Sequence, residues 1–216
     1  AVAPPAAHGA WSAAAPPSGD GPRAYLVNHG SFNPVHRGHV TMMQRARERL
    51  ERAGFVVEFG ILAITWAGHI EGKGDKAMPD ELRARLIDLC CEGEGAPWLR
   101  SDVRGVGFGS GRMMISGLLS REHPGFIGFT VVGADTAHRY WSSKPDRVIV
   151  ARSGCEGWPE DAGKRVFYAD GGDDGTWTFS STDVRRAVAA CDAAAVSRMC
   201  GAAVAEEMLG AAGGRS

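Results

Sequence analysis

A strand, a sharp turn and a helix packed into residues 24–53 constrain this chain more than any other stretch. Ala24, Tyr25, Leu26 and Val27 form a short apolar run that reads as a buried strand. Gly30 follows, and lets the backbone turn tightly or lets a ligand approach it closely. Asn33-Pro34 is a turn-starting pair, and the proline biases Asn33 away from helix. From residue 38 onward, apolar side chains at Val40, Met43, Ala46, Leu50 and Ala53 have the spacing of one helical face, and Gly54 stops the run. Residues 55–66, rich in Val, Ile and Phe, read as the next strand. Strand, helix and strand in this order form a βαβ unit, which implies a parallel sheet.

The turn also carries chemistry. His36 and His39 are three apart, so at a helix start they face the same way. A helix N-terminus presents unpaired N–H groups and a positive partial charge, which favours an anion. Two imidazoles, a glycine turn and a helix start together suit a phosphate. The same string would also serve as a tight βα loop with two surface histidines.

Taken whole, Gly30-Ser31-Phe32-Asn33-Pro34-Val35-His36-Arg37-Gly38-His39 resembles the GSFNPxHxGH signature of the nicotinamide/nicotinate mononucleotide adenylyltransferases, within the HxGH nucleotidyltransferase superfamily. A second string, Phe179-Ser180-Ser181-Thr182-Asp183-Val184-Arg185-Arg186, is similar to the ISSTxxR element of that family, with Phe179 in place of isoleucine. Here too the physics is helix capping. Ser180 or Ser181 begins a helix, hydroxyls and N–H groups point one way, and Arg185 lies one turn along. Alone, it would read as a capped helix. The resemblance makes it a cradle for the β and γ phosphates.

Weaker elements lie between the two strings. Residues 68–76 form a loop with Lys73 and Lys76, before a helix opened by Pro79, Asp80 and Glu81 and lined by Leu82, Leu86, Leu89 and Cys90. The family carries a lysine-bearing loop here; Lys73 is the better match and Lys76 the runner-up, either one a point charge for a phosphate or a solvated loop lysine. Trp98 stands near the family's tryptophan that stacks on the pyridine ring, although a core tryptophan reads as well. After it the chain departs from the family's acidic and aromatic segment. Residues 104–111 are glycine-rich, and their GxGxG is a weak signal that reads as a flexible loop.

Residues 126–132 read as a strand ending in Gly133-Ala134-Asp135, similar to the family's GAD element beside the nucleotide. Asp135 would meet ribose hydroxyls or help orient a metal there, or simply cap a helix. Residues 147–151 read as a strand ending in Arg152, which suits a phosphate or carboxylate and equally suits an ordinary surface. Residues 165–168 read as a further short strand, and 187–209 have helical spacing.

Composition excludes other classes. The 216 residues fit one domain with a real core, and 44% hydrophobic with 23% charged side chains is globular. A net charge of -1 offers no basic face to nucleic acid. No apolar run approaches the roughly 18 residues of a membrane span. The five cysteines are odd in number and lack CxxC spacing, which disfavours zinc or a disulfide framework and suggests a reducing compartment. Cytoplasmic location is expected, with nuclear or organellar placement open. Residues 1–23, rich in Ala, Pro, Gly and Ser, are expected to be a flexible tail, 24–210 the nucleotidyltransferase domain, and 211–216 a short tail.

The expectation is a doubly wound α/β fold, a Rossmann-like parallel sheet with helices on both faces and a helical C-terminus, the two strings meeting over its carboxyl edge. The resemblance implies transfer of AMP from ATP to nicotinamide or nicotinate mononucleotide. It places His36, His39 and Arg185 in catalysis, and Gly30, Ser31, Phe32, Gly133, Asp135, Ser180, Ser181 and Thr182 around ATP. Lys73, Trp98 and Arg152 would contact the mononucleotide, and substrate-bound Mg²⁺ would bridge phosphates. Rivals are another HxGH-type nucleotidyltransferase with a different phosphate acceptor, and a nucleotide-binding module without catalysis. Amide or acid preference, and any homo-oligomer, stay open.

Overall fold

The computed structural model describes residues 19–72, 74–106, 111–140, 144–152, 154–155, 157–171 and 175–213. Its centre is a 6-stranded parallel sheet in the order β3-β2-β1-β4-β5-β6. The strands are β1 (Arg23–Gly30), β2 (Val56–Ile64), β3 (Leu99–Asp102), β4 (Ile127–Gly133), β5 (Arg147–Val150) and β6 (Val166–Ala169). The chain winds outward from β1 to β3, then returns to the other side of β1 with β4. The resulting switch point between β1 and β4 is where open α/β sheets form a ligand crevice.

Side-chain alternation divides the core into two faces. Ala24 and Leu26 of β1 join Phe129 and Val131 of β4 on one face, while Tyr25 and Val27 lie on the other. Glu58 is skipped in the pairing of β1 with β2, so Val57 and Phe59 turn to opposite faces. The first face is covered by α1 (Arg37–Arg52), α3 (Asp80–Gly93), α6 (Ser181–Ala189), α7 (Ala193–Cys200) and α8 (Ala202–Gly213). The second is covered by α4 (Gly111–Glu122) and α5 (Ala134–Tyr140). A short α2 (Ala67–Glu71) follows β2.

The expected βαβ unit forms as read: α1 ends at Ala53, and Gly54 takes the left-handed conformation (φ 88°) that an L side chain resists. Several boundaries differ from expectation. The C-terminal helical stretch is broken at Asp192, whose carboxylate caps α7, and at Gly201 (φ 92°). Helix α8 continues to Gly213, into the stretch expected to be a tail. Helices α2 and α4 lie where loop or nothing regular is expected. Among the described residues, no helix is long and apolar enough to cross a membrane.

Candidate active site

The carboxyl end of β1 is built for tight packing. Phe32 has a left-handed backbone (φ 41°), and its buried ring stands against Gly30, where a Cβ would lie 2.9 Å from the ring. The Phe32 ring by itself therefore requires glycine at this position. Phe32 in turn meets the ring of His39 edge-on at 5.0 Å. With 1% of its surface exposed, Phe32 supports His39 from below and does not open onto a nucleotide.

His36 is the N-cap of α1, and its backbone N–H donates to Nδ1 of His39 at 3.2 Å. A neutral ring that accepts at Nδ1 carries its proton on Nε2, so His39 is set as an Nε2–H donor. The two imidazole centroids are 3.8 Å apart. Burial, then the Arg152 charge, pushes His36 down to about 3. Burial, then His36 and Arg152, holds His39 well below the ordinary imidazole range. Both rings are thus neutral at physiological pH, and the nearby positive charge comes from Arg152.

Arg152 follows β5, and Gly133 ends β4 beside it. A Cβ on Gly133 would stand 2.6 Å from the Asp135 carboxylate and 3.0 Å from the Arg152 stem. Asp135 lies in the first turn of α5, 4.0 Å from the Arg152 guanidinium, so it is not the N-cap. Gly133, Asp135 and Arg152 therefore share the crevice edge with the histidines.

The second string reaches the first across the fold. Ser181 Oγ donates to Pro34 O at 2.8 Å, and Arg185 Nη1 donates to Asn33 O at 2.8 Å, 152 positions away in sequence. Ser180 caps α6, its Oγ accepting from the Asp183 N–H at 3.1 Å. Thr182 Oγ1 accepts from Arg185 Nη2 at 3.2 Å. Just before α6, the Thr176 carbonyl abuts α1 so closely that a Cβ on Gly38 would lie 2.4 Å from it.

Three residues hold this arrangement: Asn33, read from the sequence only as a turn residue, and Arg83 and Asp75, which the sequence reading passed over. The Asn33 amide donates to Lys76 O at 3.0 Å and accepts from Met78 N–H at 2.9 Å, which clamps the 75–78 segment to the histidine loop. Arg83, fully buried, donates to Ser31 O at 2.6 Å, to Thr65 O at 2.8 Å and to the Asp80 carboxylate. It ties the carboxyl ends of β1 and β2 to α3. Asp75 pairs with Arg185 at 2.8 Å. Arg83 had a signal: it lies three and four residues before Leu86 and Ile87, on the stripe that α3 buries.

Trp98 is corrected. It precedes β3, and its neighbour Leu99 pairs with Gly60 in the middle of β2, so it sits toward the amino end of the sheet. It is 8% exposed, with the Arg47 guanidinium 4.8 Å over its ring. Trp66, 45% exposed just past the carboxyl end of β2, is an open tryptophan among the described residues, and Gly68 leaves room for its ring. Beyond β3, Asp102 is taken by Arg104 at 2.7 Å, and 107–110 lie outside the described residues. So does Lys73, while Lys76 takes part through its carbonyl.

An open parallel sheet with paired imidazoles and an arginine-bearing second motif joined at its carboxyl edge has the layout of a nucleotidyltransferase. The sequence profile of the cytidylyltransferase-like family matches residues 27–187, and the chain belongs to that family. Among solved structures, the fold is similar to Plasmodium falciparum nicotinic acid mononucleotide adenylyltransferase, solved with NaAD and with APC. Each of these two has a TM-score of 0.61 at 9% identity, covering 88% of this chain and 96% of that one. It is also similar to a Vibrio parahaemolyticus protein provisionally assigned as a nicotinate-nucleotide adenylyltransferase, with a TM-score of 0.54 at 14% identity, covering 87% and 99%. No curated protein matches the chain.

Proposed function

We propose that this chain transfers AMP from ATP to nicotinate or nicotinamide mononucleotide, releasing pyrophosphate. The observation that carries the reading is the joining of Arg185 to the backbone of the histidine loop at Asn33. It ties this guanidinium to the loop that leads into the two imidazoles, 152 positions earlier in the sequence, which supports a role for all three at one substrate. Similarity to the Plasmodium falciparum nicotinic acid mononucleotide adenylyltransferase, solved with NaAD and with APC, supports this choice of substrates.

The acceptor's 5′-phosphate is mostly dianionic at pH 7, its second pKa being about 6, and needs no general base. Its oxygen forms a bond to the α-phosphorus. The bond from that phosphorus to the bridging oxygen breaks, and pyrophosphate departs with the electron pair. The neutral His39 donates from Nε2–H to an α-phosphate oxygen as charge builds there. Arg185 neutralises the leaving group, and Arg152 adds positive charge beside the imidazole pair. Gly30 and Ser31 line the floor, and Asp135 suits the ribose. Bound with the nucleotide, Mg²⁺ would supply further neutralisation of the phosphates. Among the described residues no group of three His, Cys, Asp or Glu side chains converges to cage it, so its ligands would be mainly the nucleotide's. Trp66 takes the role assigned to Trp98, as a flat face for the pyridine ring.

The buried position of Trp98 also favours a second reading, in which the acceptor is a different phosphate monoester. One assay separates them: pyrophosphate release from ATP with each mononucleotide and with a panel of other phosphate acceptors. Release with either mononucleotide above all others is the expected result. Release only with another acceptor would select the second reading, and release with none would refute both.

A further inference from the structure

The guanidinium that should receive the leaving group already has an anion on it. Arg185 Nη1 is fixed to Asn33 O, while Nη2 is taken by the Asp75 carboxylate at 2.8 Å. Building on the function above, we propose that Asp75 is a positioning residue that stands in for a phosphate. It holds Arg185 in register while the crevice is empty, and the leaving-group phosphates of the nucleotide displace it.

The carbonyl bond at Nη1 keeps the guanidinium oriented in either state, so one edge of the fork is permanent and the other exchangeable. Both protons of Nη2 are given out, one to Asp75 at 2.8 Å and one to Thr182 Oγ1 at 3.2 Å. A phosphate oxygen therefore reaches Nη2 only by displacing an acceptor, and like-charge repulsion makes that acceptor the carboxylate. The exchange is easy in the required direction. The pair is 30% and 44% exposed, a class of ion pair that contributes little, whereas the incoming phosphates carry several charges. Asp75 can also move alone. The residues after it are held by the Asn33 amide at Lys76 O and Met78 N–H, so the carboxylate can swing away while the segment stays clamped.

The test is calorimetric titration of the full chain with pyrophosphate, with and without Mg²⁺, for wild type, Asp75→Asn, Arg185→Ala and the double variant. Removing the competitor should tighten pyrophosphate binding about two- to five-fold, the range a half-exposed ion pair supplies. The gain should vanish in the Arg185→Ala background, with Arg185→Gln as the alternative background where the alanine variant does not fold. In turnover, KM for ATP should fall and pyrophosphate inhibition should strengthen, without a rise in kcat. Asp75→Glu should restore wild-type binding. Unchanged or weaker binding by Asp75→Asn would overturn the proposal. So would an equal gain in both backgrounds, which would reflect net charge alone, or a loss seen only with Mg²⁺, which would assign Asp75 to the cation. A chain that shows the coupled gain yet makes no dinucleotide from either mononucleotide would keep the exchange and lose the activity.

Discussion

The imidazole pair sets the pH behaviour of single residues in this molecule. His36 is pushed down to about 3 in the native state from an ordinary value of 6.5, chiefly by burial. Between those values the unfolded chain binds a proton that the folded chain refuses. The contribution to stability is therefore complete above pH 6.5 and is lost as pH falls toward 3. Melting temperature should drop measurably between pH 6.5 and about 5, above the range in which most carboxylates titrate, and His36→Gln should flatten that slope. An unchanged slope in the variant would show that the ring is solvated. For His39 the expectation is kinetic. His39→Ala should lower kcat by roughly 10²–10³, the usual cost of one transition-state donor, with little change in melting temperature. Near-normal turnover in the purified variant would remove it from the reaction.

The site depends on elements being held together, and buried arginine and asparagine do the holding. Arg83→Leu leaves the carbonyls of Ser31 and Thr65 and the carboxylate of Asp80 without their donor, at a cost of about 3 kcal/mol. For a domain of this size that is roughly 6–12 °C in Tm by thermal denaturation. Asn33→Ala should instead speed amide exchange in the 75–78 segment while the sheet stays protected, because both of its side-chain bonds go there. These contacts also mark where sequence reading stops. Five of the six strands and α1 were legible because apolar runs and helical spacing mirror burial directly, and the two motifs because their strings are specific. By contrast β3, four residues with Arg100, Ser101 and Asp102 among them, carries no apolar run and does not read as a strand. The register of Trp98 was not legible either, since a residue type does not say which end of a strand it occupies. Helix α4 was hidden by Gly111 and Gly117, which weaken its helical signature. The partner of Asp75 lies 110 positions away, and no local pattern reports it.

At the scale of the whole chain, the C-terminal helices belong to the main hydrophobic core. Val196, Met199, Cys200, Val204, Ala205 and Met208 share one apolar cluster with α1, α3 and the first face of the sheet. The Cys200 thiol, raised to about 12 by burial, donates to Val35 O at 3.3 Å inside the histidine loop. Truncation after residue 190 should therefore abolish cooperative unfolding and expose dye-binding apolar surface, rather than trim a dispensable end. The close approach at Gly38 bears on the same unity. The Thr176 backbone oxygen rests directly on the α-carbon of this residue, with no thickness to spare. Any methyl group there becomes a shim between the molecule's two halves. Gly38→Ala should register first as displacement of the segment that leads into Arg185, read as weaker pyrophosphate binding in the calorimetric titration than the wild type gives.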